Sequence, residues 1–154
     1  MKLYFFINII FAKLYTVKLP GSPELALTIT SHSVGFEKYD EELQSQKLEI
    51  KDGIISKNNK KLCTAATSSE VRLCTSKNPI NAEFILVSSG NLVKFITKGN
   101  HILAIGDFNE STQMYDVAIL EENKTLPKNF NFSVIPIDSD SSIDTLLFSK
   151  NNEK

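Results

Sequence analysis

Short segments in which apolar residues alternate with polar ones recur along the chain, and this period-two pattern constrains the fold most. Successive side chains of a β-strand point to opposite faces, so alternation places one apolar face against a core. Clusters of Gly, Asn, Asp, Ser and Lys bound each segment. The pattern therefore predicts an all-β fold with antiparallel strands. The segments are residues 25–29, 48–50, 71–73, 84–86, 93–95, 117–119 and 130–134.

The length of the chain favours a single domain. With 154 residues, of which 42% are hydrophobic, it can bury one core of ordinary size. Residues 37–47 are the one stretch that could be helical, but charges occupy almost all sides, so a helix there would have little apolar face to bury. We predict that this stretch is a loop with a single turn.

Pairs of short apolar elements recur three times in the same order. The spacing from the Val of the first element to the first apolar residue of the second is 14, 13 and 13. A unit of this kind cannot bury its own apolar face, so three units must close on one another. The pairs are Val34-x-Phe36 with Leu48-x-Ile50, Val71-x-Leu73 with Phe84-x-Leu86, and Val117-x-Ile119 with Phe130-x-Phe132.

This order predicts three four-stranded units with pseudo-threefold symmetry rather than a two-sheet sandwich. Coincidence in a sequence rich in Ile and Phe is the alternative.

Two cysteines, Cys63 and Cys74, lie eleven positions apart. No His or second Cys pair is near them, so a zinc site lacks ligands. We predict a disulfide between them, provided that the compartment is oxidising.

The beginning of the chain resembles a secretory leader. Lys2 precedes an apolar run at residues 3–12, which has the length of a signal-peptide h-region and is too short to span a membrane. We predict a signal peptide at residues 1–17, a domain at residues 18–137 and a polar tail at residues 138–154. The alternative is that residues 3–11 form a buried first strand of a cytosolic protein.

The second unit carries a resemblance to a known family. Lys61-Leu-Cys63, Val71-Arg-Leu-Cys74, Ala82-Glu-Phe84-Ile-Leu86 and Gly90-Asn-Leu92 follow the order of the repeat of ricin B-type lectin domains. The resemblance covers roughly residues 25–135 and implies a β-trefoil, in which each unit ends in a Gln-x-Trp element. That element is degenerate here, in the forms Gln46-Lys47-Leu48, Ala82-Glu83-Phe84 and Lys128-Asn129-Phe130.

The resemblance also implies positions for a galactose site, in which an Asp binds sugar hydroxyls and an aromatic ring stacks on the sugar. The Asp positions fall near Thr28, on Thr64 or Ala65, and on Ala104, none of which is charged. The stacking positions fall on Glu37, Cys74 and Leu120.

A sugar site is therefore expected in the third unit, with Asp107 as acceptor, Tyr115 as platform and Asn123 as a second polar partner. Asp107 as a turn residue after Gly106, and Tyr115 as a rim or core aromatic, are the alternatives.

Residues that could catalyse a reaction are few and scattered. His32 and His101 lie in turn-like contexts without a nucleophile motif, and the paired carboxylates are local and solvated. Asp138 opens a faint calcium-loop pattern that lacks its Gly and its closing Glu. We expect no catalytic residue, no metal and no cofactor.

The 17 basic and 18 acidic side chains nearly cancel and are spread along the chain, so no nucleic-acid partner is expected. Asn109, Asn123 and Asn131 each begin an N-glycosylation sequon, if the chain enters a glycosylating secretory pathway. In the tail, residues 146–148 are apolar and either pack back on the domain or bind a partner.

Together these expectations describe a secreted, non-catalytic binding domain whose partner is a carbohydrate or glycoprotein, with no membrane span. One rival is a trefoil that has lost sugar binding and acts in protein interaction or a surface coat. Another is a trefoil-type protease inhibitor that uses the loop at residues 37–45 or 123–129.

Overall fold

The described part of the chain consists of β-strands, several of them joined by tight turns. The structure, a computed structural model, describes residues 14–21, 23–64, 71–75, 82–121 and 130–137. The all-β prediction is confirmed, since these residues form twelve strands and a single 3-10 turn at Gln44–Gln46. The strands are β1 (Leu14–Leu19), β2 (Leu25–Ile29), β3 (Val34–Lys38), β4 (Glu49–Lys51), β5 (Ile54–Lys57), β6 (Lys60–Thr64), β7 (Val71–Cys74), β8 (Phe84–Ser89), β9 (Leu92–Thr97), β10 (His101–Asn109), β11 (Met114–Glu121) and β12 (Ser133–Ile137).

The described strands form two antiparallel sheets. The larger has eight strands in the order β12-β1-β2-β3-β11-β10-β9-β8, and the smaller has four in the order β4-β5-β6-β7. Isolated bridges connect strands beyond these ladders: Tyr15 with Leu48, Ile54 with Glu83, and Val93 with Phe132. Each bridge joins a strand to the chain just before the third strand that follows it.

Tight turns between neighbouring strands follow from their sequences. Asp52-Gly53 connects β4 to β5 with φ values of 55° and 80°, and Asn58-Asn59 connects β5 to β6 with φ values of 51° and 67°. Two-residue hairpin turns of type I′ need positive φ at both positions, which Asn, Asp and Gly tolerate best. Any Cβ at Gly53 would collide with the carbonyl oxygen of Phe84.

The core contains three phenylalanine rings in contact. Phe36 stacks on Phe132 with ring centroids 5.6 Å apart, and Phe95 meets Phe132 edge-on at 5.8 Å. All three side chains are fully buried. Large aromatic surfaces of this kind dominate the burial energy of a core. The other members of the buried cluster are Val17, Leu19, Leu27, Ile29, Leu48, Ile55, Leu62, Phe84, Leu103, Val117 and Ile119.

One sequence-based register is corrected by the structure. The aromatic of the third unit that enters the core is Phe132, which bridges Val93, whereas Phe130 is half-buried. The two residues lie two positions apart on an alternating segment and so have the same parity. Alternation alone could not separate them.

The stretch at residues 37–47 begins in β3 and contains the 3-10 turn, so the expected single turn is confirmed. Gln46 is fully buried and anchors the segment. Its Nε2 donates to Thr28 Oγ1 at 3.2 Å and to the Lys38 carbonyl at 3.0 Å, and its Oε1 accepts from the Asp40 N–H at 3.0 Å. These bonds hold the segment against β2 and β3.

Strand β1 begins at Leu14, before the domain start that we predicted at residue 18. Val17 is fully buried, and residues 14–18 pair with β12. A leader compatible with this strand would be cleaved before Leu14. The rest of the predicted leader, residues 1–13, and the tail at residues 138–154 lie outside the described residues. Of the described residues, none belongs to a helix long and apolar enough to cross a membrane.

Candidate functional site

The β10–β11 hairpin extends past the hydrophobic core. Its core-facing row starts with Leu103 opposite Ile119 and continues with Ile105 opposite Val117. Beyond these, Phe108 lies opposite Tyr115, with 48% and 37% of their surfaces exposed. The aromatic pair continues this row past the end of the core, and both rings are therefore exposed.

The two exposed rings pack against each other. The centroids of Phe108 and Tyr115 are 5.2 Å apart with an interplanar angle of 73°, an edge-to-face arrangement. On its other side, Tyr115 pairs with Phe36 of β3. Because Phe36 is fully buried, this pairing ties the surface rings to the core.

Close packing of β3 on β11 depends on Gly35. A Cβ at this position would lie 2.7 Å from the Tyr115 carbonyl oxygen and 2.8 Å from the Met114 Cβ. Real side chains do not approach so closely, so Gly35 lets the hairpin sit directly on β3. The position of Tyr115 is thus set by the backbone as well as by its ring.

Asp107 lies in a β-bulge beside the aromatic pair. Between Ile105 and Phe108 the register shifts, so that Gly106 and Asp107 together oppose the single residue Asp116. A bulge of this kind bends a strand and redirects its side chains, and such bulges often flank binding sites. The Asp107 side chain is exposed, and no other described residue forms a hydrogen bond or ion pair with it.

The turn of the hairpin is held by Asn109. Its Oδ1 accepts from the Ser111 N–H at 2.9 Å, and its Nδ2 donates to Asp116 Oδ1 at 3.1 Å. This amide, which we considered as a glycosylation acceptor, is therefore engaged in the turn. Asn131, the third sequon residue, is half-buried just before β12.

Two of the three predicted sugar-site residues come together. Asp107 and Tyr115 lie on adjacent paired strands, whereas Asn123 lies outside the described residues. Sequence reasoning missed Phe108, because nothing local distinguishes it from the core members among ten phenylalanines. Its pairing with Tyr115 depends on the bulge, which the sequence marks only by Gly106.

The predicted disulfide between Cys63 and Cys74 is present. It joins β6 to β7, with Cα atoms 6.2 Å apart, and lies in a different hairpin from the aromatic pair. It cross-links the two strands of this hairpin. Disulfides of this kind form in oxidising compartments.

Within the described ranges, no three His, Cys, Asp or Glu side chains are placed to hold a metal ion. His32 is exposed, and the His101 N–H donates to Thr97 Oγ1 at 3.1 Å. Burial raises the pKa of Tyr15 above its ordinary value of 10.0. Tyr15 lies on the core-facing side of β1, far along the chain from the hairpin residues.

Comparisons with known proteins give a likeness of fold. No family model matches the sequence, and no curated protein matches it. Among solved structures, the GlcNAcα1-4Gal-releasing endo-β-galactosidase from Clostridium perfringens matches with a TM-score of 0.59 and 12% sequence identity. The match covers 82% of this chain and 33% of that structure, so the chain spans about a third of its length. At this identity the likeness concerns the fold alone.

Proposed function

We propose that the chain is a degenerate β-trefoil of the ricin B type. The three isolated bridges support this assignment, because each connects the first strand of a group of four with the entry to its fourth strand: β1 with β4, β5 with β8, and β9 with β12. The groups are joined through β4·β5, β8·β9 and β12·β1. These six strands form a closed ring, as a trefoil barrel requires.

The buried residues supply a second line of support. Corresponding strands of the three groups each contribute at least one buried apolar side chain to the same core. First strands contribute Val17, Ile55 and Phe95, second strands Leu27, Leu62 and Leu103, and the entries to fourth strands Leu48, Phe84 and Phe132. A threefold arrangement accounts for these triplets.

Within this fold, we propose that the protein is a secreted, non-catalytic domain that binds carbohydrate through the β10–β11 hairpin. The exposed edge-to-face pair of Phe108 and Tyr115 carries the proposal. Aromatic faces bind the C–H face of a sugar, and Asp107 beside them offers an exposed carboxylate, without a partner among the described residues, for hydroxyl groups. Sites that combine apolar rings with a few polar groups are typical of small-ligand binding.

The positions that the ricin B resemblance assigns to galactose do not carry this function. Cys74 is in the disulfide, and Glu37 and Leu120 offer no ring. The proposed site on the β10–β11 hairpin therefore lies at other residues than the galactose positions that the resemblance implies. The match to an enzyme whose name describes release of a GlcNAcα1-4Gal unit makes Gal- and GlcNAc-containing glycans the first to test.

A glycan array with the purified chain tests the proposal. We expect binding that falls at least tenfold in Tyr115→Ala and in Phe108→Ala, and less in Asp107→Asn. Ile85→Ala removes another exposed apolar side chain, from β8, and serves as the matched control. Binding that survives Tyr115→Ala and Phe108→Ala together would remove this site from the proposal.

Protein interaction is the second candidate, and a separate surface favours it. Ile85 and Val87 share one face of β8, Leu86 lies on the other, and all three are exposed. Exposed apolar residues that lie close together are typical of interaction surfaces. If no glycan binds and Ile85→Ser abolishes capture of a partner on cells, this candidate replaces sugar binding.

The disulfide supports the proposed secretion. Expression with the native leader, followed by intact-mass measurement of the medium, tests it. Oxidised chain in the medium that begins at or before Leu14 is the expected result, while reduced chain retained in the cytosol would oppose it.

A further inference from the structure

A small cleft lies between strands β1 and β12 and the segment at residues 39–47. Thr16 of β1 and Ile137 of β12 line it together with residues of that segment, and no residue of the β10–β11 hairpin does. The volume is about 170 Å³. We call it the β1–β12 cleft, lined among others by Thr16, Tyr39, Asp40, Leu43, Lys47 and Ile137.

The walls of the cleft are fixed in place. Gln46 holds the segment through the hydrogen bonds described above. The Tyr39 N–H donates to the Glu24 carbonyl at 2.9 Å, and the Lys18 ammonium lies 4.4 Å from the centroid of the Tyr39 ring. Lys18 also forms an ion pair with Glu24 at 3.4 Å, and this pair helps to hold the ammonium over the Tyr39 ring. A pre-formed cleft avoids the ordering cost of binding.

Thr16 is an unusual member of the cleft lining. Only 5% of the residue is exposed, and its hydroxyl makes no hydrogen bond with any other described residue. Thr16 is one of the residues that line the cleft. Buried polar groups are nearly always paired, so a hydroxyl presented this way is available to a ligand.

Other polar groups at the rim are also available. One carboxylate oxygen of Asp40 accepts the Glu42 N–H at 2.9 Å, which leaves the second oxygen for a ligand. The Lys47 ammonium forms no ion pair with a described residue. The cleft thus combines a buried hydroxyl, a carboxylate and an ammonium with the apolar side chains of Leu43 and Ile137.

We propose that the β1–β12 cleft binds one sugar ring and is a second carbohydrate site. Its volume is well below the roughly 300–1,000 Å³ of pockets for drug-sized ligands, so it accommodates a single ring. The hydroxyl, carboxylate and ammonium can donate hydrogen bonds to, and accept them from, the hydroxyl groups of a neutral sugar. The apolar side chains and the Tyr39 ring suit the C–H face of that sugar. The choice of ligand class rests on the proposed function of the chain.

This site is separate from both others. It shares no lining residue with the hairpin pair, and neither Thr28 nor Glu37, the first-unit positions that the resemblance implies, lines it. Two sites on one chain would make the protein bivalent. Bivalent binding raises avidity for a surface that carries many copies of the same sugar.

A titration of ¹⁵N-labelled protein with free galactose, and separately with N-acetylglucosamine, tests the proposal by amide chemical shifts. We expect saturable shifts at Thr16, Gln46 and Lys47 with at least one sugar. Thr16→Val, which removes the hydroxyl at nearly constant volume, should weaken binding at the cleft about tenfold, as loss of one hydrogen bond in a buried site does. Thr16→Ser keeps the hydroxyl and should bind as the native chain does.

The outcomes separate the two sites. Shifts at the hairpin alone would overturn the proposal for the cleft and leave the proposed function standing. Shifts at neither site would overturn both the cleft and the hairpin as binding sites for these sugars. Cleft shifts that persist in Tyr115→Ala support two independent sites. Unchanged cleft affinity in a folded Thr16→Val variant would overturn the role assigned to the hydroxyl.

Discussion

Gln46 is the buried polar side chain whose replacement gives the sharpest test of how this fold is held. In Gln46→Met the shape is nearly kept while all three hydrogen bonds are lost. Thr28 retains its bond to the Ala26 carbonyl at 3.0 Å, so the groups left without a partner are the Lys38 carbonyl and the Asp40 N–H.

The expected loss of stability follows from these two groups. Both groups form part-buried hydrogen bonds; each costs about 1–3 kcal/mol when left unsatisfied, and burial of the apolar Met side chain returns about 1–2 kcal/mol. The net destabilisation is about 3 kcal/mol, equivalent to a fall in Tm of roughly 10 °C for a domain of this size.

Urea unfolding monitored by circular dichroism measures the effect. Gln44→Met is the matched control, because Gln44 lies in the same 3-10 turn and is exposed. Exposed substitutions of this kind change stability by less than about 0.5 kcal/mol. Equal midpoints for the two variants would refute the conclusion that the Gln46 network anchors the segment.

Three further predictions concern other parts of the fold. Gly35→Ala should cost about 1–3 kcal/mol in urea unfolding and weaken glycan binding, because its Cβ would push the Tyr115 backbone away from β3; unchanged stability would contradict this close packing. Replacing both Cys63 and Cys74 by Ser should lower the free energy of unfolding by about 2–3 kcal/mol in the chain-entropy model, and reductant should then have no further effect. Burial raises the pKa of Tyr15, so the folded state holds this proton more tightly than the unfolded state, and stability should be lost as pH rises above about 10; Tyr15→Phe should remove that part of the alkaline loss, measured by thermal unfolding from pH 8 to 11.

The local elements of the fold were largely predictable. Each alternating segment identified in the sequence lies in a strand or overlaps one, and Asp52-Gly53 is a strong local signal for the hairpin that it forms. Two of the strands that the sequence did not reveal have different causes. Strand β1 alternates at Tyr15, Val17 and Leu19, but it overlaps the predicted leader. In β10 the buried residues Ile102, Leu103 and Ala104 are consecutive, so period two is absent.

The candidate site was only half predictable. Asp107 and Tyr115 were chosen from the sequence, yet Phe108 became visible only through its pairing with Tyr115 across a bulge. An extra residue in one strand shifts every later pairing by one position. No local pattern gives that register, because it depends on both strands at once.

The strand character of the chain, its tight turns and the availability of two cysteines for a disulfide depend on neighbouring residues, so they were predictable from the sequence. Which distant strands meet, such as β1 with β12, and which apolar side chains remain outside the core depend on packing between segments far apart in the chain. Phe36 and Phe108 have similar local sequences, since each lies near the end of a strand and shortly after a glycine. Phe36 is nevertheless fully buried, whereas Phe108 is exposed. The difference is the packing partner, because β3 lies over the core while the end of β10 extends past it.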